Sequence, residues 1–314
     1  MSSAPARSTH CDHIALFYRD QRDYVATLLR FLAGGIAAGE PAMVSVPGRN
    51  LNALRTALGR DADAIEMHDM TEAGRNPGRI IGDVLLRFAV DHSPKPVRII
   101  GEPIWAGRDE TEYPACAQHE ALINPALHGR PIMIVCPYHL GELDPVVIAD
   151  AKRTHPLLWI DGAQLVSDDY VDPIETAETF NQPLPLAPAS AVRMSIYRSN
   201  SHATRRFTAS FALAVDLPVD RVADAVLVVD ELVSNTINHG GGRGRLSAWL
   251  ADGRAVYEVS DAGHITDPLA GRYPVHSEES GRGLALVQSQ SDLVRVHTSP
   301  RGTTTRAFFR LDGS

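Results

Sequence analysis

Residues 226–242 read VLVVDELVSNTINHGGG, and three polar residues in this run could do chemistry together. Glu231, Asn235 and His239 are spaced by four, so on an α-helix they share one face. Magnesium prefers hard oxygen ligands and keeps waters and phosphate oxygens in its shell, so one Asn carbonyl on a helix is a sufficient protein ligand. A Glu one turn earlier can orient or deprotonate an attacking hydroxyl. Gly240–Gly242 would then end the helix and let backbone approach a ligand. The same spacing also fits a polar stripe facing solvent with a Gly cap.

Three further stretches accompany it. Residues 256–263 read VYEVSDAG: a carboxylate at a strand end, Asp261, precedes Gly263 by two. Such a carboxylate can accept the amino group of adenine while Gly allows close packing, although Asp and Gly also make ordinary turns. Residues 280–287 read SGRGLALV, with Gly281 and Gly283 bracketing Arg282 at the start of an apolar helix. Helix N-termini bind phosphate through free N–H groups and the dipole, and Gly-rich loops also open ordinary core helices. Gly302-Thr303-Thr304-Thr305 opens the last strand, where alternating Thr is normal strand surface and one hydroxyl could reach a nucleotide.

The order and spacing of these pieces resemble the GHKL ATPase superfamily. Its compact form, with ELVSNTINHG, is similar to the anti-sigma regulatory factors that act as serine-protein kinases, and the likeness covers about residues 193–311. The resemblance implies ATP and Mg²⁺ as cofactors. It places Mg²⁺ on Asn235, a general base at Glu231, adenine recognition at Asp261, and the lid and phosphate region at Gly263, Gly281, Arg282 and Gly283. Thr304 becomes a further adenine-side contact and His239 a structural support. The implied partners are an alternative sigma factor and an anti-anti-sigma (STAS-type) protein whose serine would be phosphorylated; members of this type are commonly dimeric. The lid, HITDPLAGRYPVHSEES, departs from the family in holding one internal glycine, Gly271, and two prolines. ATP binding and phosphoryl transfer are therefore separate expectations.

These residues must be positioned by a small α+β domain. Met194–Tyr197 reads as a strand, 205–217 and 220–239 as helices, and 244–250 with 255–261 as a hairpin around Asp252-Gly253, a strong turn dipeptide. Residues 283–290 read as a third helix and 293–298 with 303–310 as a second hairpin. Helices beside a mainly antiparallel sheet give an α+β layer, here of the Bergerat (GHKL) type by resemblance. Residues 173–192 carry four prolines and no apolar periodicity, and are taken as a linker between domains at 1–172 and 193–314.

In the first domain, 14–18, 42–46, 97–101 and 132–136 read as buried strands, with helices over 22–38 and 79–92. This alternation implies an α/β domain, a mostly parallel sheet with helices on both faces. No GxxxxGK[ST] phosphate loop is present. All three cysteines, Cys11, Cys116 and Cys136, lie within three residues of a histidine. Cys and His at such spacings can ligate zinc or another soft metal; cysteines are also small core residues. His119-Glu120 matches the phosphoacceptor pair of histidine kinases but lacks the long paired helices around it. HCDHIALFY, GGIAAGEPAMVSVP, GEPIWAGR, HEALIN and CPYHLGELDP together resemble the MEDS sensory domain over about residues 10–165. That implies sensing of a small-molecule signal. Glu102, Trp105, His119, Glu120, Asn124 and Tyr138 are the pocket candidates, because ligands in open α/β sheets favour strand ends and loops.

Composition bounds the alternatives. The 314 residues carry a net charge of −8 with no dense basic run, against a nucleic-acid binder. The first residues, MSSAPARSTHCDH, have no apolar core of a signal peptide, and no apolar run is long enough to span a bilayer. The expectation is a cytoplasmic, signal-responsive anti-sigma regulator. The rival readings are an ATP-binding module without kinase activity, and a metal or redox sensor working through the N-terminal Cys and His residues.

Overall fold

A computed structural model describes residues 11–273 and 282–311. The chain divides into two compact units. One runs to Arg75 and resumes over Val84–Ala177; the other holds Asn76–Asp83 and continues from Glu178.

The first stretch of chain runs β1 (Asp12–Tyr18), α1 (Gln21–Ala38), β2 (Ala42–Val46), α2 (Gly48–Leu58), β3 (Ile65–Asp69), then the short helices α3 (Met70–Ala73) and α4 (Pro77–Arg79). A π-helical run over Ile80–Leu86 leads into α5 (Arg87–Asp91), then β4 (Val97–Gly101), α6 (Tyr113–Ala126), β5 (Ile132–His139), α7 (Pro145–Thr154), β6 (Leu157–Ile160), β7 (Ala163–Val166) and α8 (Pro173–Thr179). The strands form one sheet in the order β3-β2-β4-β5-β1-β6-β7, parallel except for the β6–β7 pair. The helix expected over 79–92 thus runs without a gap over 77–91 but widens to π turns in its middle, where Gly82 weakens the α preference. The expected linker opens with the helix α8.

Sequence explains the central strands. β1, DHIALFY, has every residue after Asp12 buried, as a strand covered on both faces must. Side chains alternate across it: Ile14, Leu16 and Tyr18 join a core with Tyr24, Leu28 and Leu32 of α1 and Leu54 of α2. His13 points to the other face, where it meets Glu120 of α6. Helices therefore cover both faces, as expected. α1 is capped at both ends: Asp20 accepts from the Asp23 N–H at 2.8 Å, and Gly39 closes the helix at φ 67°.

The second unit continues with β8 (Val192–Tyr197), α9 (Ser201–Ala214), α10 (Val219–Asn238), β9 (Arg243–Ala251), β10 (Arg254–Asp261), α11 (Arg282–Gln290), β11 (Leu293–Ser299) and β12 (Gly302–Arg310). Its antiparallel sheet has the order β11-β12-β10-β9-β8. The β9–β10 hairpin turns on Asp252 and Gly253, at φ 49° and 68°, the double left-handed turn that matches strand twist. α10 buries Ala225, Val228, Val229, Leu232, Val233 and Thr236, a 3.6-residue stripe. That stripe packs on Leu246, Tyr257, Val259, Ala307 and Phe309 of the sheet, with Val287 of α11. The opposite face of α10 is left free to carry polar groups.

Candidate functional site

The polar face of α10 is where Glu231 and Asn235 come together. A Cβ added at Gly283, in the first turn of α11, would lie 2.6 Å from Glu231 Oε2 and 3.8 Å from Asn235 Nδ2. A side chain at this position would have to displace the Glu231 carboxylate. The Asn235 amide nitrogen is buried and has no hydrogen-bond partner among the described residues. An orphaned buried amide is costly unless a ligand completes it.

One residue further on, Thr236 locks Asp261. The Thr236 hydroxyl donates to Asp261 Oδ2 at 2.6 Å, and the Gly263 N–H donates to Oδ1 at 2.8 Å. Gly240 passes so near that an added Cβ would lie 2.4 Å from Asp261 Cγ. Gly263 is pressed equally hard, its Cβ position 2.9 Å from the His239 carbonyl. The Thr303 hydroxyl donates to the Gly263 carbonyl at 2.8 Å and lies 2.8 Å from the Thr298 hydroxyl. The end of α10, the end of β10 and the start of β12 thus form one hydrogen-bonded corner. Asp261 keeps lone pairs beyond the two that these donors use.

Two expected site residues, His239 and Thr304, sit differently. α10 ends at Asn238, so His239 is a cap residue with an exposed side chain; it contributes its backbone, not a third polar group on the helix face. The glycines after it stop the helix one residue before the i+8 position. Thr304 lies on the wrong face of the sheet. It pairs with Ser260 and lines a surface pocket with Arg193, Arg245 and Glu258, whereas Thr303 pairs with Asp261 itself. Strand alternation puts Thr303 and Thr305 on the helix-facing side with Ala307 and Phe309. Gly281 lies outside the described residues, and Arg282 is the exposed first residue of α11. Thr236 and Thr303 were not singled out in the sequence; their period relative to Asn235 and Asp261 was the available signal.

The sensor candidates separate into two places. Glu102 and Trp105 line a cavity of about 240 Å³ at the C-terminal ends of β1, β2, β4 and β5, with Tyr18, Asn50, His139 and Glu142. That is the crevice where open α/β sheets take ligands. Glu102 accepts from Tyr24 Oη at 3.0 Å and from Asn50 Nδ2 at 3.0 and 2.9 Å. Burial nevertheless outweighs these donors and pushes its carboxyl up to about 8. The Arg108 guanidinium stacks 4.0 Å from the Trp105 ring centre.

Glu120, Asn124 and Tyr138 lie elsewhere, between α6 and the opposite face of the sheet. Glu120 Oε2 is 3.1 Å from His13 Nε2 and 3.3 Å from His155 Nε2. Cys136 Sγ is 3.4 Å from the same His13 nitrogen. The His13 and His155 rings lie 3.9 Å apart, and Tyr138 meets His155 edge-on at 5.5 Å. Burial, then the neighbouring His155, brings His13 down to about 4, so its ring is neutral near pH 7. Burial alone would raise Glu120, but the His13 and His155 imidazoles beside it hold it well below the usual carboxylate range. His119 is 1% exposed, which closes it to phosphoryl transfer as a histidine-kinase acceptor. Neither Cys11 nor Cys116 belongs to this group of four.

Comparisons with known proteins match both units. Residues 12–156 match MEDS, the MEthanogen/methylotroph, DcmR Sensory domain, and residues 198–309 match the histidine kinase-like ATPase domain. The anti-sigma F factors of Bacillus velezensis and Bacillus subtilis are each 31% identical over 135 residues, spanning 39% of this chain and 92% of the relative. A solved structure of the RsbU and RsbW domains of Rv1364c from Mycobacterium tuberculosis is 19% identical, with a TM-score of 0.30; the likeness covers 40% of this chain and 33% of that one. No helix among the described residues is long and apolar enough to cross a membrane.

Proposed function

The chain belongs to the anti-sigma F factor family of histidine kinase-like ATPases, and we propose that its C-terminal unit binds ATP with Mg²⁺ and holds an alternative sigma factor. The observation that carries the reading is the convergence of Glu231 Oε2 and the partnerless Asn235 amide on Gly283. These residues fit the group. Asn235 turned by a half rotation presents Oδ1, a hard oxygen suited to Mg²⁺. Asp261, oriented by Thr236 and Gly263, accepts the adenine amino group through a remaining lone pair. The N-terminus of α11 would turn its dipole toward phosphate. When bound, ATP supplies the phosphoryl group and Mg²⁺ neutralises its charge.

In this reading Glu231 is the base. Its Oε2 takes the proton from the serine hydroxyl of a STAS-type anti-anti-sigma partner, leaving an alkoxide-like oxygen to attack. Phosphorylation would release that partner and leave the sigma factor bound to this chain. The N-terminal unit would bias the choice in response to a small molecule in the Glu102–Trp105 crevice.

Phosphoryl transfer to a purified STAS partner tests this. Glu231→Gln is expected to retain nucleotide and lose about 10²–10⁴ in transfer rate. Asn235→Ala is expected to lose Mg²⁺-dependent nucleotide binding itself. Transfer unchanged in Glu231→Gln would remove the base. Wild-type binding of nucleotide and sigma factor with no transfer at all would leave a sequestering module without kinase activity, the reading favoured by the proline-containing lid.

A further inference from the structure

We propose that His13, Glu120, Cys136 and His155 form a four-ligand site for a borderline-soft divalent cation, zinc by preference, buried in the sensor unit. The proposal is independent of the ATP site.

The four side chains come from elements far apart in sequence. His13 stands on β1 and Cys136 on the adjacent β5, where it pairs with Ala15, two residues along and on the same face as His13. Glu120 comes from the middle of α6. His155 is the cap residue between α7 and β6. All four are buried, and one donor atom from each lies within 4.8 Å of the others.

The outer contacts fix which atoms face inward. His155 Nδ1 is 2.8 Å from the Ala151 carbonyl, which can only accept, so Nδ1 carries the proton and Nε2 is a bare lone pair. Asn124 donates its Nδ2 to the Thr154 carbonyl at 2.9 Å, which turns its Oδ1 toward His13 Nδ1 at 3.2 Å. His13 Nδ1 is therefore also the donor, and its Nε2 also points inward bare. Two nitrogen lone pairs thus converge on a carboxylate, all acceptors, with a thiol beside them. Glu120 Oε1 and His155 Nε2 have no hydrogen bond among the described residues. A cation satisfies all four at once. A histidine that gives its outer N–H to a carbonyl while its other nitrogen binds metal is the usual second-shell arrangement.

Distances select the geometry. Ligands about 2.0–2.3 Å from a tetrahedral zinc stand roughly 3.4 Å apart. Three of the six donor–donor distances here are 3.1, 3.3 and 3.4 Å, and all six lie within 4.8 Å. The donor set of two imidazoles, one carboxylate and one thiolate suits zinc and excludes magnesium or calcium, which want oxygen. A bare His–Glu–His hydrogen-bond cluster sharing one proton is the competing description.

The test uses the full chain stripped with a chelator and titrated with Co²⁺. Saturation at about one equivalent is expected, with tetrahedral d–d bands, a sulfur-to-cobalt charge-transfer band, and displacement by Zn²⁺. Cys136→Ser should lose the charge-transfer band, and Cys116→Ser should keep it. Asn124→Ala, which leaves every ligand in place, should bind about 10–100-fold more weakly. A natively folded wild-type chain that takes up no ion in this titration overturns the site, whatever the variants do. A charge-transfer band that survives Cys136→Ser and vanishes in Cys11→Ser overturns the assignment.

Discussion

Glu102 is the residue whose protonation the fold shifts furthest into the physiological range. Its carboxyl is raised from 4.5 to about 8, mainly by burial. Between those values the folded chain holds a proton that the unfolded chain has released. Stability of the first unit therefore falls as pH rises through this window and levels off above it. Beside burial, Asn50, Tyr24 and Glu142 set the position of that window, and Tyr18, Arg49 and His139 share the surroundings. Glu102→Gln is expected to flatten the dependence, measured as urea midpoints at pH values from about 5 to about 9. A variant that keeps the wild-type slope would place the titration on another group. At the same scale, Thr236 is expected to tune adenine recognition through Asp261. Thr236→Val keeps the shape, removes the 2.6 Å hydrogen bond, and should weaken ATP by roughly tenfold without touching transfer per bound nucleotide.

At the level of elements, the site depends on how closely three backbones pass. Just past the cap of α10 lies Gly240, where any side chain would meet the Asp261 carboxylate. Gly240→Ala is expected to push β10 away from α10, costing about 1–3 kcal/mol and most nucleotide affinity. Thermal unfolding with and without nucleotide reads both effects. The sheet of the first unit instead rests on apolar packing. Leu32, fully buried on α1 among Leu28, Tyr24 and the even-numbered side of β1, should cost about 2–5 kcal/mol on change to Ala. That loss should leave the ATP-dependent behaviour of the second unit unaltered. Edge strands were the elements hardest to read: β3 is IEMHD and β7 is AQLV with every residue exposed, so neither shows a buried apolar run.

In the molecule as a whole, each of the two compact units buries its own apolar side chains, and calorimetry is expected to resolve two transitions. ATP with Mg²⁺ at about a hundred times its Kd should raise one of them by about 2.7 kcal/mol. Asn235→Ala should erase that shift. Zn²⁺ should raise the other transition alone, and Cys136→Ser should erase that shift in turn. A single transition that responds to both additions would contradict the division into two cooperative units.

The sequence by itself determined what depends on local period and chain order. Five-residue, mostly apolar runs at 42–46 and 97–101 became strands with the same ends, because a strand covered on both faces needs few polar residues. Glu231 and Asn235 share a face because a helix repeats every 3.6 residues. Only the tertiary structure decided that glycines stop that helix before His239, that Thr303 and not Thr304 turns toward Asp261, and that Glu120 belongs to a buried cluster rather than to the crevice at Glu102. Residues 13, 120, 136 and 155 carry no common spacing. They meet because β1 and β5 pair in parallel and α6 crosses their far face, a matter of sheet order that no local pattern encodes.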